Sequence, residues 1–131
     1  MEKIQPAWRD TAVQMMPQLM EQLQDIESPY LLWFDLWEAF EDAYREPRNQ
    51  FSINRIYQYA AWCVLQPQSE TAEDDLPTCV TVCFYEHIPT CAPALKDMPN
   101  WFSKEEFNLM QATFKYHATE EQLEEMKALF A

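Results

Sequence analysis

Three side chains that bind metals or act as nucleophiles recur at intervals of four in one short segment. If residues 78–87 form a helix, Cys79, Cys83 and His87 lie on one face, and Cys91 could complete a zinc site. Structural zinc sites usually contain a Cys-x2-Cys knuckle, which the chain lacks, and free cysteines are mostly buried. We therefore expect packed, reduced thiols and no bound metal, with a small metal-binding protein as an alternative.

Acid-base chemistry has few candidates. Glu86 and His87 are neighbours in sequence, but adjacent residues do not face each other on a helix, and His117 lies elsewhere in the chain. Cys63 has no evident activating base, and no nucleophile motif is present. We expect neither catalysis nor a cofactor. An enzyme that uses Cys79, Cys83, His87 and Glu86 stays the alternative.

The chain has no glycine among its 131 residues. Phosphate-binding loops, dinucleotide-binding turns and nucleophile elbows need glycine for positive φ angles or for close approach of a ligand, so their usual forms are excluded. Tight β-hairpins also favour glycine. The composition therefore favours helices.

The charge is strongly acidic, with 22 acidic and 9 basic residues and a net charge of −13. Eight acidic residues and no lysine or arginine lie between Arg9 and Arg45. Direct nucleic-acid binding needs a basic surface and is not expected, whereas a basic protein would be attracted. No apolar run is long enough to cross a membrane and the N-terminus lacks the pattern of a secretory signal, so we expect a cytoplasmic protein.

Helical periodicity and capping residues predict most of the secondary structure. Residues 8–26 form an amphipathic stripe in which Pro17 should kink the helix or mark its true start. Ser28 should cap a helix that ends near Arg45. Ser52 should cap a helix ending near Leu65, and two capping-box spacings should open helices at 104–116 and 120–130. Residues 67–76 read as an acidic loop, and the prolines after residue 88 indicate an irregular crossing. We predict one all-α domain over residues 1–131, a compact bundle of five or six helices, with residues 78–87 possibly a strand.

Two surfaces are candidates for binding a partner. The helix over 29–45 should pack an aromatic stripe on one side, which leaves its carboxylates on the other. The stripe consists of Tyr30, Trp33, Phe34, Trp37, Phe40 and Tyr44. Tyr59 and Trp62 lie on the second face of the next helix and could serve as aromatic anchors. The predicted partner-binding residues are Asp35, Glu38, Glu41, Asp42, Tyr59, Trp62, Glu73, Asp74 and Asp75.

One resemblance bears on function. Residues 84–89 (Phe-Tyr-Glu-His-Ile-Pro), Trp101-Phe102 and residues 114–117 (Phe-Lys-Tyr-His) resemble a family of small acidic bacterial proteins of undefined activity, over about three-quarters of the chain. The resemblance implies a bacterial origin and supplies no catalytic residue. As a class, such proteins are similar to the immunity proteins that neutralise toxins.

The leading hypothesis is an intracellular inhibitor of the toxin-immunity type that covers a basic partner, for example a toxin domain. Charge steering would precede burial of aromatic anchors. The alternative is a DNA mimic, whose spaced carboxylates imitate phosphates and block a DNA-binding protein. The sequence does not indicate the oligomeric state.

Overall fold

The computed structural model describes residues 7–69 and 75–131. It is 75% helical, with eight α-helices and no strand in these two ranges. The all-α prediction is confirmed. The count of five or six helices is wrong, and so is the possible strand at 78–87. The chain consists of two compact units, Met1–Cys83 and Phe84–Ala131.

The first unit begins with an interrupted helical segment. Helix α1 spans Ala7–Met15, a 3-10 turn spans Pro17–Leu19, and α2 spans Met20–Leu23. Pro17 does not mark the start of the helix, because α1 precedes it, and the expected kink takes the form of a break between α1 and α2. Proline has no N–H to continue the helix and disfavours helical geometry at the preceding residue, and Met16 accordingly has φ −131° and ψ 64°.

Helix α3 spans Pro29–Ala43 and begins as predicted, because the Leu31 N–H donates to Ser28 Oγ at 3.2 Å. Its buried face is formed mainly by Leu32, Trp33, Leu36 and Phe40. The expected aromatic stripe is only partly correct. Phe34 is 58% exposed, because one residue of helix turns its side chain about 100° from Trp33.

Helix α4 spans Gln50–Val64 and contacts α1, α3 and α5 within the first unit. Its cap is Asn49, whose Oδ1 accepts a hydrogen bond from the Ser52 N–H at 3.1 Å. The predicted capping residue, Ser52, instead lies buried inside the first turn. Helix α5 spans Leu76–Cys83 and completes the unit by packing on α3 and α4.

The second unit opens with a 3-10 segment, Tyr85–Thr90, followed by α6 over Ala92–Asp97 and a 3-10 turn over Met98–Asn100. The segment predicted as an irregular crossing thus contains a short helix. Pro93 is compatible with it because it lies in the first turn, where no intrahelical N–H bond is lost. Asp97 closes the segment by accepting hydrogen bonds from Asn100 Nδ2 at 2.7 Å and Trp101 Nε1 at 3.0 Å.

Helices α7, Lys104–Phe114, and α8, Glu120–Leu129, begin at the two predicted capping boxes. Ser103 and Glu106 exchange hydrogen bonds of 2.9 and 3.0 Å, and Thr119 and Gln122 exchange bonds of 2.9 and 3.1 Å. Phe107 stacks on Phe130 with ring centroids 4.4 Å apart.

Two observations hold for the described part of the chain. None of its residues has a positive φ angle, so every reversal is made without left-handed backbone. None of its helices has both the length and the apolar character needed to cross a bilayer.

Candidate functional site: the acidic face of α3

One face of α3 carries both carboxylates and exposed apolar groups. Positions 31, 34, 35, 38, 41 and 42 fall within about 120° of the helix circumference. The apolar side chains of Leu31 and Phe34 on this face are exposed at 50% and 58%. The acidic face of α3 is defined here by its four exposed carboxylates and these two apolar residues: Leu31, Phe34, Asp35, Glu38, Glu41 and Asp42.

A cleft of about 830 Å³ lies beside this face. Asp35, Glu38 and Asp42 line it, and Glu46 from the α3–α4 connection adds a further carboxylate. The other lining residues include the amides of the segment before α3 and of the loop before α4, among them Gln18, Gln22 and Asn49. The cleft therefore combines negative charge with hydrogen-bonding amides, a surface suited to guanidinium or ammonium groups.

Among the described residues, Arg45 is the only basic one that lines this cleft. Its Nη1 lies 3.1 Å from Asp42 Oδ1, and both side chains are largely exposed. An exposed pair of this kind contributes only about 0–1 kcal/mol to stability. The pair can therefore open readily when another cationic group competes for Asp42.

The two predicted aromatic anchors on α4 differ in position. Tyr59 is fully buried, donates from its hydroxyl to the Trp8 carbonyl oxygen at 2.9 Å, and lies between the rings of Trp33 and Trp62, at centroid distances of 5.5 and 5.7 Å. Burial raises the pKa of Tyr59 far above that of an ordinary phenol. Tyr59 is thus a core residue and offers no surface to a partner, whereas Trp62 is half-buried and reaches the surface.

The three predicted loop carboxylates do not form an exposed cluster in the described residues. Glu73 and Asp74 lie outside the described ranges. Asp75 is buried, and its Oδ1 accepts a hydrogen bond from the Thr78 N–H at 3.4 Å, in the position of an N-cap for α5. Asp75 therefore starts a helix and does not extend the acidic surface.

The cysteine-histidine spacing does not form one helical face. Helix α5 ends at Cys83, and Phe84 departs from helical geometry with φ −123° and ψ −68°. His87 then lies in the 3-10 segment, so the expectation that all three side chains share a face was wrong. Within residues 7–69 and 75–131, no three or more His, Cys, Asp or Glu side chains form a group that could hold a metal ion.

The four cysteines are free and buried. Burial raises the pKa of the Cys63 thiol to about 12, although hydrogen bonding with Tyr59 and Trp33 opposes this shift. The nucleophilic form of cysteine is the thiolate. Cys63 is therefore a neutral packing group at physiological pH.

The second unit brings Glu86, His87 and His117 together. His117 Nε2 lies 3.3 Å from Glu86 Oε1, and the two imidazoles stack with centroids 4.4 Å apart and planes at 14°. Parallel rings direct their in-plane lone pairs side by side, so the nitrogens do not converge on one ion at the usual zinc distance of about 2.0–2.1 Å. Sequence spacing gave no signal for this pairing, because the 3-10 segment and the end of α7 bring the residues together.

The exposed pair Leu31 and Phe34 was also missed by sequence reasoning. The signal was available, because their angular positions on an ideal helix coincide with those of the carboxylates.

No protein-family model, curated protein or solved structure matches this chain.

Proposed function

We propose that this chain is a cytoplasmic binding protein of the toxin-immunity type, which inhibits a basic protein by covering it with the acidic face of α3. One observation carries the proposal. Four exposed carboxylates and two exposed apolar side chains share one face of α3, beside a cleft that three of those carboxylates line.

The mechanism has two steps. Long-range attraction first brings the basic partner to a chain of net charge −13, which raises the association rate. The partner then buries Phe34 and Leu31 while its lysine or arginine side chains enter the cleft. An apolar core surrounded by a polar rim is the usual arrangement of a protein–protein interface. The partner's own active site is blocked by steric cover.

The anchor in this proposal is Phe34, in place of the buried Tyr59. Phe34 is exposed on α3 between Leu31 and Glu38, so one helix supplies the apolar contact and the charge. Trp62 on α4 remains a secondary candidate because its ring is only half-buried.

The test is capture of partners on the immobilised chain and on two charge-neutralised variants. The first variant combines Asp35→Asn, Glu38→Gln and Asp42→Asn in the cleft. The matched control removes the same number of charges from exposed positions on α8 through Glu121→Gln, Glu124→Gln and Glu125→Gln. We expect one stoichiometric basic protein to bind the wild type and the control and to be lost from the α3 variant.

Two further results would decide against the proposal. Equal loss of the protein from both variants would indicate only non-specific attraction to negative charge. Displacement of the protein by duplex DNA from the wild-type chain would favour the DNA-mimic alternative, in which the carboxylates occupy a DNA-binding site.

A further inference from the structure

The cleft beside α3 contains a buried hydroxyl group. Ser52, in the first turn of α4, lines the cleft and is only 9% exposed. Its backbone N–H donates to Asn49 Oδ1, but its hydroxyl makes no hydrogen bond to any residue that the structure describes. Buried polar groups in proteins almost always have a hydrogen-bond partner. The Ser52 hydroxyl is therefore available to a ligand that enters the cleft.

The carboxylates of the cleft lie in a row along α3. Asp35, Glu38 and Asp42 fall within about 60° of the helix circumference and rise about 10 Å along its axis. Glu46 lines the same cleft just beyond the end of the helix. These carboxylates do not converge on one point, since no group of three or more acidic, histidine or cysteine side chains in the described ranges could hold a metal ion. The row suits an extended cation with separated charges.

The cleft has an excess of three negative charges. Of its four carboxylates, Asp42 is paired with Arg45 at 3.1 Å. Asp35, Glu38 and Glu46 form no ion pair with any described lysine, arginine or histidine. A ligand that carries three positive charges would therefore neutralise the cleft.

Apolar side chains also line the cleft. They belong to Leu19, Ala39, Ala43 and Pro47. Ala39 and Ala43 directly follow Glu38 and Asp42 in α3. Flexible aliphatic chains pack on such apolar surface while their charged ends reach polar groups. The cleft thus offers contacts to methylene groups as well as to ammonium groups.

We propose that this cleft binds a linear polyamine with three ammonium groups. Neighbouring ammonium groups in such a molecule are separated by three or four methylenes, a length close to one helical turn of about 5.4 Å and hence to the spacing of the carboxylates along α3. Each terminal ammonium group donates up to three hydrogen bonds. The carboxylates accept most of them, and the Ser52 hydroxyl and the amide oxygens of Gln18 and Gln22 are further acceptors.

Charge and size select this ligand over the side chains of a protein. One lysine or arginine side chain brings a single charge, whereas a triamine brings three on one chain that has no peptide backbone. The cleft volume of about 830 Å³ lies in the usual range for small-molecule sites, about 300–1,000 Å³. Polyamine binding needs no protein partner. It can therefore be established or refuted independently of the inhibitor function.

Isothermal titration calorimetry of the full chain with spermidine, at about 0.05 M salt, tests the proposal. We expect saturable binding of one molecule per chain. Mg²⁺ at the same ionic strength should show no saturable binding, because a compact cation cannot span separated carboxylates. An absence of spermidine binding, or equally tight binding of Mg²⁺, would overturn the proposal.

Charge substitutions locate the site. The variant that combines Asp35→Asn, Glu38→Gln and Asp42→Asn should bind spermidine about 10-fold more weakly or worse, because most of the charge-assisted hydrogen bonds are lost. The control, which combines Glu121→Gln, Glu124→Gln and Glu125→Gln on α8, should change the affinity by no more than about 2-fold, because exposed distant charges are screened. Equal weakening in both variants would show a diffuse counterion effect and refute the site.

The hydroxyl is tested by Ser52→Ala, which should weaken spermidine binding by about 3-fold or more, because a hydrogen bond to a charged group is removed. Ser69→Ala is the control, since Ser69 is exposed and does not line the cleft. Thermal unfolding of both variants shows whether the fold is intact. An unchanged affinity of a folded Ser52→Ala variant would overturn the proposal, because the buried hydroxyl would then not contact the ligand.

A trilysine peptide with blocked termini separates the two sources of ammonium groups. It carries the same three charges as spermidine, but they branch from a peptide backbone. We expect it to bind about 10-fold more weakly or worse, because it cannot extend along the row of carboxylates without losing more conformational freedom. Equal affinity of the peptide would show that the cleft recognises lysine side chains of a protein, and the polyamine proposal would be wrong.

Discussion

The hydroxyl of Tyr59 donates a hydrogen bond of 2.9 Å to the carbonyl oxygen of Trp8, a residue 51 positions earlier in the chain. Because Tyr59 is fully buried, this bond ties α1 to α4 within the core of the first unit. Its ring also packs between two tryptophans. The residue therefore contributes to folding and is not available for recognition.

Substitution Tyr59→Phe should lower the free energy of unfolding by about 2 kcal/mol, because the carbonyl of Trp8 loses its buried donor. Urea denaturation followed by circular dichroism measures the loss. Tyr116→Phe is the control, since that ring is exposed, and should change stability by less than about 0.5 kcal/mol. A similar small change in both variants would show that the bond is of no energetic consequence.

Substitution Phe34→Ala should weaken binding of the basic partner by about 10-fold or more, because the proposed apolar anchor is removed. Stability should hardly change, since the side chain is exposed in the free protein. The measurement is titration calorimetry with the captured partner. Leu109→Ala on α7, where the side chain is 87% exposed, is the control and should bind as tightly as the wild type. An unaffected Phe34→Ala variant would exclude this residue as the anchor.

Association with the partner should slow steeply between about 0.05 and 0.5 M salt, because the charges that steer it are exposed and easily screened. Stopped-flow or surface-capture kinetics gives the association rate. The triple variant at Asp35, Glu38 and Asp42 should show a flatter dependence than the α8 control. Equal rates for the wild type in both buffers would exclude charge steering.

Alkaline conditions should destabilise the protein partly through Cys63. Burial raises the pKa of the Cys63 thiol from an ordinary 9.0 to about 12 in the folded protein, so between these pH values the unfolded state releases its proton first. Stability that is present below pH 9 is then lost as pH rises, at up to about 1.4 kcal/mol per pH unit for this one group.

Unfolding in urea at pH 7.5, 9 and 10 measures this effect. The variant Cys63→Ala is less stable at every pH but should have a shallower slope above pH 9, because one buried acid has been removed. Parallel slopes for the variant and the wild type would show that this thiol does not contribute to the pH dependence.

Local chemistry made the helix starts predictable. Ser28, Ser103 and Thr119 cap helices as expected, because an N-cap depends on residues within three positions of one another. The prediction that Ser52 caps a helix was wrong. Asn49, three residues upstream, can also act as an N-cap, and its side chain accepts the hydrogen bond from the Ser52 N–H. Where two capping residues compete, spacing alone does not select between them.

Tertiary contacts explain the remaining differences. In the sequence, the polar hydroxyl of Tyr59 and its position opposite an apolar helix face indicate an exposed side chain. Its burial follows from a tertiary contact, because the hydroxyl donates to the Trp8 carbonyl oxygen. The pairing of His117 with Glu86 likewise depends on two elements that are distant in sequence. The exposure of the α3 carboxylates could be predicted without any tertiary contact, because an amphipathic helix leaves its charged side in water.

The described residues have no left-handed backbone, and the chain has no glycine, the residue that adopts it most easily. The lack of glycine also affects the unfolded chain. Glycine has the largest set of backbone conformations, and a chain without it has fewer states when disordered. Summed over its length, this chain therefore loses less backbone entropy on folding than a chain with glycine at some of the same positions. Part of the stability of the two helical units thus comes from the restricted conformations of the denatured chain. It does not correspond to any contact in the folded structure.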